Sequence, residues 1–516
     1  LKLSAGITEL TTSWETILNQ LGLPIHKIPG GVFVEPNELP VLILTGRSSD
    51  YKDAVIHYLN NGGTVLTEAD TASGVLGVKV KYSYIRYILS KNDDIFKIEG
   101  ICDINKVCLI ASGANHLESD SGVKTVLAAR VNKGNVIVLP SGFISLINDR
   151  RIVRKNFFSP YAQKETNERV AAVSKGMVSH IIRNALEYLY HARNLPFVCL
   201  WHFPGGNENI FSVRIDTDFG SRENINELYN IIKNRNLKAA WFIETGSAES
   251  FLEDFKSFEK QETALHCYRH RVFLTYRKNF EQVSKALALL KNKNIPVSGF
   301  AAPYGQWNRS LGKVISELEF CYSSEFGFAY DSLPLFPALK KDTNTSLQLP
   351  IHPVSLGRLH WGGHNSEQML QYFNYIFAQK AAMYDPAVIY FHPSELKFNV
   401  IDRIIEAGMS YNFPNFTFRE YAGWWKKRGS LSWEADCNGN DIKIITSNQD
   451  ESFWVRILNN KNEMILKPLL PHSYVEKKLH EPVFKLNNLF SAVDLRRRTK
   501  RMIYHDILSQ YRKLKQ

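Results

Sequence analysis

From residue 41 the apolar positions come first as a short unbroken run and then at helical intervals. Val41-Leu42-Ile43-Leu44-Thr45 reads as a buried strand ending at Gly46, residues 51–61 have helical spacing, Gly62-Gly63 stops the helix, and Thr64-Val65-Leu66-Thr67 resumes as a strand. This is one βαβ unit. Val107-Cys108-Leu109-Ile110 and Asn135-Val136-Ile137-Val138-Leu139 add two buried-strand candidates, and residues 170–190 predict a long amphipathic helix. Residues 1–195 are therefore expected to form an open, doubly wound α/β domain. From residue 210 the rhythm becomes strand then helix, with strands expected at 210–215, 239–243, 263–265, 297–301, 321–324, 347–351 and 387–391. Seven parallel strands with helices between them predict a distorted seven-stranded (β/α) barrel over 196–425. Such a barrel carries its chemistry where strands end, because the loops after those ends ring one open face. Beyond about residue 420, short alternating runs at 442–446, 453–457 and 464–467 are separated by Asn, Gly and Asp turns. They predict a small β-rich domain over 426–490, followed by a basic helical tail over 491–516.

Composition narrows the class. The 44% hydrophobic and 22% charged content of the 516 residues is that of a globular protein, and no apolar run reaches the roughly 18 residues that a membrane-spanning helix needs. Residues 1–23 lack a basic segment followed by a long apolar run, so no secretory signal is visible and a cytoplasmic location is expected. The chain begins at Leu rather than Met, which leaves export open. Six cysteines without a CxxC pair give neither a zinc knuckle nor a dense disulfide framework, which fits a reducing compartment. Of the formal charge of +12, about half lies in 494–516, where eight Lys or Arg stand against two Asp. The tail reads first as a solvated helix. Its charge would also permit peripheral contact with a membrane or another anionic polymer, whereas nucleic-acid binding rests on charge alone and is not expected.

The candidate chemistry sits at strand ends. On the strand at 210–215, Arg214, Asp216 and Asp218 leave one face, and Val213, Ile215 and Thr217 leave the other. Two adjacent carboxylates repel unless a cation lies between them. A DxD alone more often marks a loop or a helix cap. The strand at 263–265 leads into His266-Cys267-Tyr268-Arg269-His270, where residues four apart on a helical turn would bring two imidazoles to one metal. What gives the pair weight is order along the chain. The DxD ends one strand, the HxxxH another, and Phe300-Ala301-Ala302-Pro303-Tyr304-Gly305 and Tyr390-Phe391-His392-Pro393 end two later ones.

Together these segments resemble the polysaccharide deacetylase family, the NodB-like carbohydrate esterases of family four, in its DxD form and over roughly residues 205–425. The resemblance implies a metal-dependent hydrolase that removes an N-acetyl or related acyl group from an amino sugar in a polysaccharide or its precursor. It assigns Asp216 as catalytic base, Asp218, His266 and His270 as ligands of a divalent ion, Tyr304 as an oxyanion contact through its backbone N–H, and His392 as general acid. Zinc is the expected ion, with cobalt, nickel and manganese as alternatives. The substrate implied is an N-acetylated polysaccharide or oligosaccharide. Two imidazoles and one carboxylate leave coordination positions open for water and a carbonyl, which is the arrangement catalysis needs.

One position departs from the family, whose loop after the fourth strand reads Arg-Ala-Pro-Tyr with the arginine holding the base. Here Ala301 stands in that place. Arg214, two residues before Asp216 on the same face, is expected to take over; the alternative is that it caps the barrel bottom or pairs with another acid. Were the base not held, the chain would be a catalytically weakened, deacetylase-like glycan-binding or scaffolding protein. Residues 1–195 weakly resemble a glutamine amidotransferase-like domain of flavodoxin-like pattern. Those enzymes need a Cys on a sharp turn, and the matching turn, Leu139-Pro140-Ser141-Gly142-Phe143, offers Ser141 without His or acid partners, so this domain is read as non-catalytic. His352, His360 and His364 are expected on a loop lining the cleft, and Trp307 and Trp361 fit sugar stacking and plain packing equally well.

Overall fold

All seven strands expected between 210 and 391 form in the computed structural model of the chain, as one parallel sheet. They are β1 (Phe211–Asp216), β2 (Ala239–Glu244), β3 (Glu262–Cys267), β4 (Gly299–Phe300), β5 (Tyr322–Ser323), β6 (Leu347–Gln348) and β7 (Ala387–Phe391), in the order β6-β5-β4-β3-β2-β1-β7. The residues described are 1–46, 49–90, 93–98, 100–157, 159–338, 346–439, 441–471 and 475–479, with 500, 503, 504, 507, 508 and 511. The basic tail expected at 491–516 thus lies almost wholly outside them. Two compact units divide the chain. One joins Leu1–Asn148, Val173–Gly206 and Lys427–Val483, and the other is built on Asp149–Ala172 and Asn207–Lys426.

In the second unit the side-chain alternation of β1 decides what faces where. Phe211, Val213 and Ile215 belong to the apolar core that joins the sheet to its helices, together with Trp241, Ile243 and Leu265. Arg214 and Asp216 leave the other face and point inside the barrel. The surrounding helices form where the 3.6-residue period and capping residues agree. In α1 (Arg222–Asn234), Ser221 accepts a hydrogen bond from Asn224 N–H at the N-terminus, and Ile225, Leu228, Tyr229 and Ile232 are the buried stripe. In α2 (Ser366–Met383) a capping box joins Asn365 and Gln368. β6 and β7 end the ladder on opposite sides. Between them His352 N–H donates to Val388 O at 3.1 Å and Tyr390 Oη–H to Pro353 O at 2.9 Å, a closure by isolated bonds that makes the barrel distorted.

A hairpin from earlier in the sequence completes this unit. Residues Ile152–Asn156 and Asn167–Ala171 pair antiparallel over five register positions. This corrects the helix expected over 170–190: Val170 and Ala171 are strand, and the helix occupies Lys175–His191. Cross-strand pairing here outweighs the local periodicity. Ala171 N–H donates to Phe326 O, Lys155 Nζ to Tyr330 Oη, and Glu168 forms an ion pair with Arg358 at 2.6 Å, so the hairpin is tied to loops that follow β5 and β6.

The first unit holds a nine-stranded sheet in the order 25–27, 5–7, 41–44, 64–68, 134–139, 124–131, 116–119, 80–89, 101–111. Its first five strands are parallel, and the rest run antiparallel. Helices Lys52–Asn60 and Ala69–Leu76 bury Val55, Tyr58, Leu59 and Val75 with Leu42, Leu44, Val65, Val136 and Val138 on one face. The expected strand at 107–110 is part of this sheet but not of its buried parallel core. It belongs to the edge strand Ile101–Ala111, and Val107 is 56% exposed. Ser141 has a structural duty, because its Oγ accepts from Leu109 N–H at 2.7 Å. The three strands expected after 440 form at Asp441–Thr446, Trp454–Leu458 and Met464–Pro468, and Trp454–Leu458 pairs with Phe197–Leu200. The four-part domain layout remains a proposal about which segments fold separately. Among the described residues, no helix is long and apolar enough to cross a membrane.

Candidate active site

Four strand ends bring the expected groups together. Asp216 closes β1, and Asp218 follows two residues later. His266 lies on β3, and His270 on the bend behind it, so the two histidines are not on one helical turn as expected but on a strand end and the loop leaving it. Nε2 of His266 is 3.6 Å from Asp218 Oδ1, and Nε2 of His270 is 3.4 Å from Asp218 Oδ2. His392 follows β7, the hydrogen-bonded neighbour of β1, and so arrives beside the aspartates. Its Nε2 lies 4.0 Å from Asp216 Oδ2 and 3.8 Å from Asp218 Oδ1.

Arg214 is fully buried in the barrel interior, with its guanidinium 5.0 Å from the Phe242 ring centre and 5.4 Å from that of Tyr390. Nε and Nη2 each donate to one oxygen of Asp216 at 2.5 Å, and Nη1 donates to Ser324 O at 2.7 Å. The guanidinium thus lies on Asp216. A forked ion pair of this kind fixes both the charge and the plane of the carboxylate.

The charges follow from these neighbours. Burial would raise the Asp216 carboxyl, but the field of Arg214, aided by His266, brings it down to about 2. For Asp218 burial outweighs the field of His392 and lifts the carboxyl to about 6. Burial lowers His266 to about 3 and His270 to about 4, so both imidazoles are neutral and have lone pairs to offer. Burial works against the charged form of His392 too, yet Glu395, 3.3 Å from its Nδ1, and the two aspartates raise it to about 9. Neutral imidazoles beside a carboxylate are what a divalent cation requires. Among the described residues, Asp218 Oδ1, both ring nitrogens of His266 and Nδ1 of His270 are buried without hydrogen-bond partners, and one donor atom from each residue lies within 4.8 Å of the others. The donor set therefore fits a divalent ion.

The polysaccharide deacetylase family model matches residues 206–323. Residues 206–323 are a polysaccharide deacetylase domain. The match takes in Arg214, Asp216, Asp218, His266, His270 and Tyr304; His392 follows it in the chain, and the amidotransferase-like reading of residues 1–195 lies outside it. No curated protein matches the chain. Among solved structures, similarity reaches a family-four carbohydrate esterase pseudoenzyme from Bacillus anthracis, at 17% identity over 42% of this chain and 65% of that one, with a TM-score of 0.31. It also reaches a family-four carbohydrate esterase from Streptomyces lividans, in complex with acetate, at 13% identity over 41% and 93% of the two chains, with a TM-score of 0.29. The chain thus spans about two thirds of the length of the first of these structures.

Within the deacetylase domain, Tyr304 lies in the turn Pro303–Gly305 after β4 and takes φ +55°. Three carboxylates near these groups escaped the sequence reading. Glu395 is one turn beyond His392, a spacing that could have been noticed. Glu325 is buried, accepts from Ala302 N–H at 3.2 Å just before Tyr304, and is pushed up to about 7 by burial. Glu168 anchors Arg358 from the hairpin. Neither of these two had a sequence signal, because each depends on pairing between distant segments. Of the three histidines expected to line the cleft, His360 is exposed on the helix Leu356–Trp361 and the other two are placed otherwise. His352 is buried 3.0 Å from Tyr372 Oη, and His364 is buried 2.6 Å from Ser159 Oγ, both as packing residues. Trp307 is buried against Phe328, which decides for packing, whereas Trp361 is 46% exposed. Of two further acid and histidine groups among the described residues, Asp216, Asp218 and His392 belong to this same site, and Asp93, Asp94 and His116 lie in the first unit. Asp93 there already accepts from Ile95, Phe96 and Leu117 N–H and sits 3.0 Å from His116 Nδ1.

Proposed function

We propose that the deacetylase domain hydrolyses the N-acyl amide of an amino sugar in a polysaccharide or oligosaccharide, releasing the acid and a free amine. The observation that carries this reading is the forked Arg214–Asp216 pair, two residues from the Asp218, His266 and His270 donor set. A divalent cation held by those three residues, zinc by preference with cobalt, nickel or manganese as alternatives, would act as a Lewis acid and lower the proton affinity of water. Asp216, ionised and fixed in plane by Arg214, accepts the proton from the water oxygen that attacks the acyl carbon. The Tyr304 N–H donates to the carbonyl oxygen as negative charge develops on it. His392, kept protonated by Glu395, gives its proton to the nitrogen as the C–N bond breaks. The Arg214–Asp216 pair supports this reading over that of a weakened, glycan-binding protein, which Ala301 alone would have suggested.

The test is acetate release from a panel of N-acetylated hexosamine oligosaccharides by the full chain, with free amine measured in parallel. Equal amounts of the two products are expected. Absence of both across the panel would sink the proposal. His266→Ala and His270→Ala are each expected to lower zinc content, measured by atomic emission, from about one ion per chain to a small fraction, since two remaining donors enclose a cation poorly. Zinc retained when both are replaced would refute the ligand set. Glu395→Gln removes the carboxylate that supports the charged form of His392. An acid works below its pKa, so the alkaline limb of the rate–pH profile should move to lower pH, with the acid limb in place. An unmoved alkaline limb would separate Glu395 from the general acid.

A further inference from the structure

We propose, on the strength of that reading, that Phe219 and Tyr304 form an aromatic seat on which the pyranose carrying the acyl amide stacks its apolar face. Fourteen non-glycine residues among those described have positive φ, and half of them are asparagine, which accepts this conformation most readily. Phe219 (φ +58°), Tyr304 (+55°) and Leu396 (+52°) are the large hydrophobic ones that are also exposed, at 69%, 55% and 61%. Leu117 and Tyr384 share the conformation but are buried, so packing accounts for them. All three exposed residues sit on the loops that carry the chemistry. Phe219 follows Asp218, Tyr304 lies on the loop after β4, and Leu396 follows Glu395.

Such positions are unfavourable twice over. A left-handed backbone strains a side chain with a Cβ, and an exposed phenyl ring gains nothing from burial. Strain of this type persists where the surrounding structure imposes it, and it collects at ligand sites. The rings are also placed coherently. Phe219 packs edge-on against His270 at 5.0 Å between centres, and Tyr304 does so at 4.4 Å. Both therefore flank a residue of the donor set while leaving much of their surface open. A pyranose presents a face of C–H groups that covers such surface, with its hydroxyls left in water, and aromatic rings suit that combination of apolar body and wet rim.

Phe219→Gly and Phe219→Asn test the seat, because both residues accept the left-handed turn and lack the ring. With zinc content as in the wild type and a melting temperature unchanged or higher, KM for an N-acetylglucosamine oligosaccharide is expected to rise roughly ten-fold, the scale of one lost aromatic contact. The preference for that oligosaccharide over 4-nitrophenyl acetate should fall by the same factor. Calorimetric binding of the oligosaccharide in the Asp216→Asn background distinguishes failure of this inference from failure of the proposed hydrolysis. Weaker binding on removal of the ring supports the seat even where no acetate is released. Unchanged KM, preference and binding, or a fall in melting temperature that accounts for the loss, would overturn it.

Discussion

Asp216→Asn is expected to lower acetate release by about 10²–10⁴-fold, the usual contribution of a positioned general base, while zinc content stays at the wild-type level. The amide keeps the size of the carboxyl group but cannot accept the water proton. Asp216 is also outside the proposed ligand set, since the donor atoms closest to His266 and His270 are those of Asp218. The variant therefore separates binding of the ion from use of the water. Its stability should fall as well, because Arg214 is left with a neutral partner in a buried place, and breaking one side of a buried ion pair costs about 3–5 kcal/mol. A folded variant with full zinc and near wild-type turnover would remove Asp216 from the mechanism. One that loses zinc would make it a ligand.

Arg214→Met should produce the second large effect, a fall of roughly 10²-fold in turnover, from the loss of a preorganised base. Methionine fills part of the space between Phe242 and Tyr390 but leaves the Asp216 carboxylate buried without its cation. Burial, which in the wild type is outweighed by Arg214, then acts to raise the Asp216 pKa. A base with a raised pKa is ionised only at higher pH, so the acid limb of the rate–pH profile moves upward. The same pair sets a stability term. Because the folded pKa of Asp216 is depressed to about 2, its contribution is complete above the unfolded value of about 3.9 and is lost as pH falls through about 2. Arg214→Met should erase that acid-side dependence, as followed by chemical unfolding between pH 5 and pH 2. Arg214→Lys, which keeps the charge without the fork, is expected to fall between the two. Wild-type turnover in Arg214→Met, with zinc unchanged, would mean that the base needs no guanidinium.

The barrel was legible because its signal is local. Each of the seven strands is a run of apolar residues, four of them with chemistry at one end, and alternation on β1 alone puts Arg214 and Asp216 on one face. The same alternation could not say whether that face pointed inward. Phe242 and Tyr390, on the two neighbouring strands, decided it. What stayed hidden depends on pairing across the chain. Val170 and Ala171 look like the first turn of the helix that starts at Lys175, and only the pairing of 167–171 with 152–156 makes them strand. The edge position of 101–111 is likewise a property of the sheet, not of the segment. Glu325 and Glu168 gain their neighbours from loops more than twenty residues away. The histidines at 352 and 364 misled for the opposite reason, since a cluster in sequence is not a cluster in space when Tyr372 and Ser159 take one each.

The most direct measurement follows acetate release from one N-acetylated oligosaccharide through removal and return of the metal. The full chain is stripped with a chelator, dialysed, and titrated with zinc while bound metal and acetate are recorded on the same sample. The account predicts that release disappears with the ion and returns in proportion to zinc, reaching its plateau at about one ion per chain. Acetate release that survives complete removal of the metal, or zinc bound at one ion per chain with no hydrolysis of any oligosaccharide in the panel, would contradict it.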